Sequence, residues 1–317
     1  MAYATMKQAL GTALVAAGER DGNVVVLDAD LQRVTETEAF MTRFPKRHFN
    51  LGIAEANMVG VALGIALSGK TVFCGTFACF ATQRVADQAA IMAHCEANVK
   101  IIGMEAALSA GSNGATHQGM LDLAIMRCMP NMTVFDPCDA TEIGAMVRYM
   151  AEHPGPTYMR AIRKNVPVIL DPATYRFEAG RAPRMRDGHD VTLIACGIML
   201  ERALQAAEQL AAEGVSARVV NMSSIKPLDE AEVLAAAKDT GCIVTAENHN
   251  ILGGLGSAVA ETVAERCPVP VVRVGIRDVF GEVGTTEYLA EKFGIGAFHI
   301  VQAAHRALEL KGGMARA

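Results

Sequence analysis

The sequence predicts an α/β protein of two domains in series, each built on a mostly parallel sheet flanked by helices. Short β-branched runs alternate with longer segments rich in Ala, Leu and Glu, which is typical of strands joined by crossover helices. The alternation stops near residue 166 and begins again near residue 191. A length of 317 residues fits two domains of roughly 150 residues each.

Each predicted element is a run of one residue pattern between turn-forming residues. In the first domain, residues 1–166, apolar β-branched runs predict strands at 24–27, 71–74, 99–103, 132–135 and 157–159, with helices between them. In the second domain, residues 191–317, the same patterns predict strands at 191–195, 217–221, 242–246 and 269–274, and helices at 200–212, at 230–238 and from about 256. Residues 167–190 contain three prolines and two glycines and follow neither period, so we expect a linker there.

The composition excludes several classes of protein. The formal net charge is −5 and the pI is about 5.9, so we expect no nucleic-acid partner. No apolar run approaches the roughly 18 residues of a membrane span, and the N-terminus lacks a signal-peptide cleavage pattern, so we expect a cytoplasmic protein with no membrane partner. The eight cysteines show no CxxC pair or zinc spacing, which predicts reduced core cysteines and no metal ligands in this chain.

The segment 49–69 is the most informative part of the chain. It is apolar and small from Ile53 onward, and Glu55 is its one ionisable side chain. A glutamate favoured by the dipole at a helix N-terminus would explain this position without any function. A helix N-terminus favours the anion whereas burial favours the neutral acid, so such a carboxyl can also share a proton with a ligand nitrogen.

The segment 76–88 places two aromatic rings and two charges at helical spacing. Phe77, Phe80, Arg84 and Asp87 are separated by three, four and three residues, which predicts one helical face with rings at one end and charges at the other. A core stripe with a surface ion pair would give the same pattern. Next to a buried acid, the rings also suit a flat heteroaromatic cofactor.

Two later segments offer groups that bind polar substrates. His117 lies among three glycines in a loop before a predicted helix, where an imidazole is either solvated or placed against a ligand. Arg160 and Arg163 lie at the end of a predicted strand, where open α/β sheets bind ligands, and arginine suits carboxylate or phosphate.

In this order and spacing the segments resemble the pyrimidine-binding domain of transketolase. The matching motifs are ADL at 29–31, NLGIAE at 50–55, TFACFATQRVADQ at 76–88, NGATHQ at 113–118 and GPTYMRAIRKN at 155–165. The family's C-terminal domain is resembled by IKPLD at 225–229, TAENHNILGGLGSAVAE at 245–261 and RVGIRDVFGEVG at 273–284. The resemblance covers nearly the whole chain and implies a thiamine-diphosphate enzyme that transfers a two-carbon ketol unit from a ketose to an aldose.

The resemblance implies cofactor-binding roles for four residues. Glu55 matches the glutamate that hydrogen-bonds N1′ of the aminopyrimidine and promotes its imino tautomer, which makes it a catalytic residue as well. Phe80 matches the ring that stacks on the pyrimidine, and Phe77 lies beside it. Gln83 stands where the family often has an aromatic residue.

The glycine-rich stretch 253–257, with Glu247 and His249 just before it, is expected to serve packing rather than catalysis or nucleotide binding.

The resemblance also implies how a sugar or sugar-phosphate substrate is bound. His117 matches the catalytic histidine near the reacting hydroxyl and carbonyl, and Arg163 matches a phosphate-binding arginine, with Arg160 as a second candidate. Asn113 replaces an aspartate near the donor hydroxyl. Three other phosphate contacts of the family are replaced by Glu105, Met6 and Val34. We therefore expect a ketose donor other than the common pentose phosphates, without a terminal phosphate or with a different anion there.

A partner subunit follows from what the sequence lacks. Enzymes of this type hold the diphosphate and Mg²⁺ (or Ca²⁺) through a GDG motif with a downstream Asn, and no GDG occurs in this chain. The resemblance is therefore to the C-terminal subunit of a split transketolase, whose N-terminal subunit carries the GDG motif, in an α₂β₂ assembly with the cofactor between subunits. Two alternatives share the architecture: the β subunit of a 2-oxoacid dehydrogenase or a deoxyxylulose-phosphate synthase, and a non-catalytic scaffold subunit.

Overall fold

The computed structural model of the protein describes residues 2–314, which form two large sheets flanked by helices and one small two-stranded sheet. The strands are β1 (Tyr3–Thr5), β2 (Val24–Asp28), β3 (His48–Asn50), β4 (Thr71–Phe77), β5 (Val99–Met104), β6 (Thr133–Phe135), β7 (Thr157–Ala161), β8 (Asn165–Pro167), β9 (Arg184–Arg186), β10 (Val191–Ala195), β11 (Ala217–Asn221), β12 (Ser224–Lys226), β13 (Ile243–Asn250) and β14 (Val271–Ile276). The α-helices are α1 (Met6–Arg20), α2 (Gln32–Thr35), α3 (Thr37–Arg43), α4 (Glu55–Leu67), α5 (Ala86–His94), α6 (Asp122–Cys128), α7 (Ala140–Glu152), α8 (Met199–Ala212), α9 (Glu230–Thr240), α10 (Leu255–Arg266), α11 (Thr286–Lys292) and α12 (Ala297–Met314).

The larger sheet has seven strands in the order β12-β6-β7-β5-β4-β2-β3. Strands β2 to β7 run parallel, and every residue of β2, β4 and β5 is buried, as expected when helices cover both faces of a parallel sheet. Strand β12 pairs antiparallel with β6. Because β12 follows the predicted linker in sequence, the second half of the chain supplies an edge strand to the sheet of the first half.

The second sheet has five strands in the order β14-β13-β10-β11-β9. Strands β10, β11, β13 and β14 are parallel, and β9 pairs antiparallel with β11. Strand β9 lies inside the segment predicted to be a linker, which corrects that prediction for three residues. It consists of Arg, Met and Arg at an exposed sheet edge, so no buried apolar period marks it in the sequence.

The predicted α/β fold class and the nine predicted strands are confirmed, with strand ends within a few residues of the predicted ones. The prediction of one helical face over 76–88 is wrong. Strand β4 continues through Phe77 because it stays paired with β5, a single π-helical turn spans Phe80–Arg84, and α5 begins at Ala86. Within the described part of the chain, no helix is both long and apolar enough to cross a membrane.

Candidate active site

Most of the predicted site residues lie at the carboxyl edge of the larger sheet. The segments that follow β3, β4, β5 and β7 converge there, which is where open α/β sheets bind ligands. These segments carry Glu55, Phe77, Phe80, Asn113, His117 and Arg163. The contacts described below connect these residues into one row, with Glu55 at one end and Arg163 at the other.

Glu55 is a buried carboxylate at the start of α4. Only 2% of the residue is exposed, and a turn with Gly52 at a φ of +73° leads into it from β3. Arg84 Nη1 donates to both carboxylate oxygens at 3.0 and 2.9 Å. The same guanidinium lies 4.3 Å from the ring centroid of Phe80, so Arg84 links the acid to this aromatic ring.

The rings of three residues contact one another and form an aromatic wall: Phe77, Phe80 and His117. The two Phe centroids are 6.0 Å apart, and the His117 ring lies 5.3 Å from each of them, with edge-to-face geometry throughout. Phe77 is buried at the end of β4, whereas Phe80 is half-buried. Thr116 Oγ1 is 3.0 Å from Nδ1 of His117, so Nε2 is the ring nitrogen that can face a substrate.

Arg163 lies at the other end of the row, with Cζ 5.8 Å from the ring centroid of Phe77. Its Nη2 donates to Asn113 Oδ1 at 3.2 Å and to Glu105 Oε2 at 3.3 Å. Glu105 follows β5 and is 1% exposed, whereas the Arg163 side chain is 35% exposed. This end of the site therefore presents a cation that is already paired with a buried anion.

The structure contradicts the prediction that Arg160 contacts the substrate. Arg160 is 1% exposed; its Nε and Nη2 donate to Asp122 at 2.7 and 2.5 Å, and its Nη1 donates to Asp136 at 3.2 Å and to the Asn248 carbonyl at 3.0 Å. Arg160 lies inside β7, where alternate side chains point to opposite faces, whereas Arg163 lies beyond the end of the strand. Arg160 therefore joins the two domains instead of facing the site.

The pKa values of the two acids that contact Arg160 shift in opposite directions. Burial alone would raise the pKa of Asp122, but the attraction of Arg160 holds it below its usual value. Burial raises the pKa of Asp136, where the same guanidinium only partly offsets the effect. The group is a structural network, since its members are buried and engaged with one another.

Gln83 is exposed and faces a different cleft. That cleft, of about 380 Å³, is lined by Gln83 and Thr116 together with Val279 and Phe280 of the second domain, and the described residues around it do not include the two Phe rings of the wall. The placement does not support a contact of Gln83 with the cofactor ring, which stays a prediction. A wider cleft of about 550 Å³ between α1 and α7 contains none of the predicted site residues.

Glu247 and His249 lie buried where the second domain meets the first. Glu247 accepts hydrogen bonds from Leu255 N and Gly256 N at the start of α10, at 2.8 and 2.9 Å. A Cβ on Gly254 would lie 2.0 Å from the Glu247 carboxylate, so this glycine makes room for the acid. Burial raises the pKa of Glu247 to about 7 and lowers that of His249 to about 4. The glycine-rich stretch therefore encloses a side chain of the chain itself.

Sequence reasoning missed the partners of two site residues. The contact of Arg84 with Glu55 and that of Glu105 with Arg163 join residues 29 and 58 positions apart, so no local period could reveal them. A signal for Glu105 existed, since an acid is unusual at a position where a phosphate contact is expected. Among residues 2–314, no group of three or more His, Cys, Asp or Glu side chains could hold a metal ion.

Comparison with known proteins identifies both halves of the chain. Residues 2–168 match the transketolase pyrimidine-binding domain and residues 180–300 match the transketolase C-terminal domain. The 6-deoxy-6-sulfo-D-fructose transketolase subunit SqwH of Clostridium sp. (strain MSTE9) is 46% identical over 294 residues, covering 92% of this chain and 91% of the relative. An apulose-4-phosphate transketolase subunit of Phocaeicola vulgatus is 37% identical, covering 89% of this chain and 90% of that relative.

A solved structure agrees with these matches. A split gene transketolase described as an inactive β4 tetramer superposes with a TM-score of 0.90 at 46% identity, covering 97% of this chain and 99% of that one. The pyrimidine-binding fold, the C-terminal fold and the relatives of matching length lead to one assignment: the chain belongs to the transketolase family and resembles the subunits of its split members.

Proposed function

We propose that this chain is the cofactor-ring-binding subunit of a thiamine-diphosphate-dependent transketolase that transfers a two-carbon ketol unit from a ketose to an aldose. The observation that carries the proposal is the row of Glu55, Phe77, Phe80 and His117 at the carboxyl edge of the larger sheet, where a buried acid, two ring faces and an imidazole adjoin one another. The names of the relatives do not favour a 2-oxoacid dehydrogenase or a synthase.

The residues present fit the cofactor's aminopyrimidine. When bound, thiamine diphosphate would supply the carbon nucleophile that accepts the ketol unit. Glu55, buried at a helix N-terminus, would hold a proton at the ring nitrogen N1′, and Phe77 and Phe80 would fix the ring between apolar surfaces. His117 Nε2 would exchange a proton with the reacting hydroxyl of the sugar and stabilise charge on its carbonyl oxygen.

Arg84 occupies part of this position in the chain by itself. Its guanidinium lies on the face of Phe80 and its Nη1 is bonded to Glu55, so a ring that stacks on that face must displace the guanidinium. The Arg84 side chain is 49% exposed, which leaves it room to move. We propose that assembly with the cofactor and a partner subunit shifts Arg84 and frees one oxygen of Glu55.

The partner would be an N-terminal transketolase subunit with a GDG motif that holds the diphosphate and Mg²⁺, in an α₂β₂ assembly. In this chain the site is open, and the apolar side chains of Phe49 and Ile53 beside Glu55 are 46% and 78% exposed. Exposed apolar groups next to a catalytic residue are typical of a surface that another subunit covers.

We also propose that the donor is a ketose other than the common pentose phosphates. Met6 is 1% exposed inside the core and Val34 packs against the same cluster, so neither side chain offers a cation or a hydroxyl to a phosphate. The Clostridium relative is named for 6-deoxy-6-sulfo-D-fructose, which has a sulfonate in place of the phosphate. A donor of that class suits Arg163 at the substrate end of this site.

Reconstitution tests the proposal. The purified chain with thiamine diphosphate and Mg²⁺ should show no ketol transfer, and transfer should appear when a GDG-containing partner subunit is added. The matched control is the same mixture with Glu55→Gln, which keeps the size of the side chain but removes the acid. Turnover by the chain alone would contradict the need for a partner, and absence of transfer from every ketose donor in the complex would contradict the activity.

A further inference from the structure

The substrate end of the site contains an ion pair between the buried Glu105 and the partly exposed Arg163. Glu105 Oε1 accepts the backbone N–H of Arg163 at 2.6 Å, and Oε2 accepts Arg163 Nη2 at 3.3 Å. Glu105 takes a φ of +56°, a left-handed conformation that is uncommon for a residue other than glycine. The carboxylate is thereby held against both the backbone and the side chain of Arg163.

The pair leaves Arg163 able to bind an anion but cancels its charge. Both contacts of the guanidinium to Glu105 and Asn113 are made by Nη2, so the remaining N–H groups of a side chain that is 35% exposed can donate to a ligand. Lys164 is exposed next to Arg163, where its Nζ contacts Thr286 Oγ1. An incoming terminal group therefore meets directional donors and almost no net attraction from the pair.

We propose that Glu105 and Arg163 select ketose donors whose terminal group carries one negative charge, a sulfonate, against phosphate monoesters that carry nearly two; this inference rests on the proposed function. A sulfonate has three acceptor oxygens for the free N–H groups of Arg163, and the Glu105 carboxylate repels only one negative charge on it. A phosphate monoester brings a second charge toward the same buried acid. Glu105 is then the residue that determines specificity at this end of the site.

The size of the effect follows from Coulomb's law. Repulsion by the Glu105 carboxylate of one additional charge about 6 Å away, at an effective dielectric constant between about 20 and 40, changes relative binding by roughly ten- to a hundredfold before the attraction of Arg163 is counted. We expect the lower end of this range because Arg163 attracts the same additional charge and offsets part of the repulsion, and because the Arg163 side chain is partly solvated. The relevant quantity is the ratio of kcat/KM for two donors that differ only in the terminal group.

The first experiment uses the wild-type complex with its partner subunit. The donors are fructose 6-phosphate and the fructose analogue with a sulfonate in place of the phosphate, assayed between pH 5.5 and 8. The sulfonate does not titrate in this range, whereas the phosphate loses its second proton near pH 6. Titrations of the protein that act equally on both donors cancel in the ratio. The sulfonate-to-phosphate ratio should exceed about tenfold at pH 8 and fall several-fold toward pH 5.5.

The second experiment changes the charge of the acid. Glu105→Gln keeps an oxygen for the Arg163 N–H and should lower the sulfonate-to-phosphate ratio about tenfold at pH 8. The matched control is Asn113→Ser, which removes the other contact of Arg163 Nη2 without changing charge and should leave the ratio within about twofold. Should Glu105→Gln fail to fold, the pH dependence of the wild-type sulfonate-to-phosphate ratio still tests the inference.

A third donor separates this inference from the proposed function. Erythrulose is an uncharged ketose that ends before the terminal subsite, so the wild-type complex should use it as a donor. Absence of transfer from erythrulose and from both longer donors would overturn the proposed function itself. Transfer from erythrulose, together with a wild-type preference for fructose 6-phosphate or for uncharged fructose at pH 8, would overturn this inference alone. A sulfonate-to-phosphate ratio that does not change with pH would also overturn it.

Discussion

Replacement of Arg160 by methionine should destabilise the protein strongly, although the sequence pattern suggested a ligand-binding arginine. Asp122 and Asp136 are 0% and 6% exposed and both hydrogen-bond to Arg160. Removal of one member of a buried ionic network leaves an uncompensated charge and costs about 3–5 kcal/mol. At roughly 2–4 °C per kcal/mol for a chain of this size, the Tm should fall by about 6–20 °C.

Urea unfolding followed by circular dichroism would measure this loss. Arg266→Gln is the matched control, because Arg266 and its partner Glu230 are half-exposed and a surface pair contributes about 1 kcal/mol or less. Adding Asp122→Asn to the Arg160 variant should recover part of the lost stability, since one buried charge is then gone. If Arg160→Met unfolds within about 1 kcal/mol of the wild type while KM for the donor rises, the residue binds substrate and our interpretation is wrong.

Three further predictions follow from the site and the domain contact. Glu55→Gln should slow hydrogen–deuterium exchange at C2 of the bound cofactor by orders of magnitude in the reconstituted complex, with unchanged unfolding; wild-type exchange would refute its role. Phe80→Ala should weaken cofactor binding, measured by calorimetry, by about 1–3 kcal/mol; unchanged affinity would contradict the stacking assignment. Burial raises the pKa of Glu247 from 4.5 to about 7, so the protonated carboxyl favours the folded state at low pH. This contribution to the free energy of unfolding is lost as the pH rises from 4.5 to about 7. Glu247→Gln should therefore gain up to about 3 kcal/mol relative to the wild type between pH 4.5 and 7, and a pH-independent difference would contradict the buried state.

The sequence predicted the parts of the fold that depend on local pattern. Strands such as β4 and β5 are buried along their whole length, and their continuous apolar runs mark them without any tertiary information. Five strands were missed because each has three residues and is defined by its pairing partner rather than by its own residues: β1, β3, β8, β9 and β12. Their pairing therefore depends on tertiary contacts that no sequence window contains.

In the candidate site, too, some residues could be predicted from sequence patterns, whereas the roles of others depend on tertiary contacts. Glu55, Phe80 and His117 could be predicted as site residues because their segments together, in order and spacing, resemble one family. Arg160 and Arg163 have the same chemistry three positions apart, and only the end of β7 separates the buried side chain from the half-exposed one. Their different roles depend on where a strand ends and on acids supplied from distant positions.

Strand β12 has a consequence for attempts to divide the chain into fragments. A fragment that ends in the segment 167–190 would lack β12, and β6 would then present an unpaired row of backbone N–H and C=O groups. Such an edge is a template for pairing with other chains, so the separately expressed first half should aggregate. Proteolytic nicking in the linker, in contrast, should leave the two pieces associated, because each contributes a strand or a buried side chain to the other.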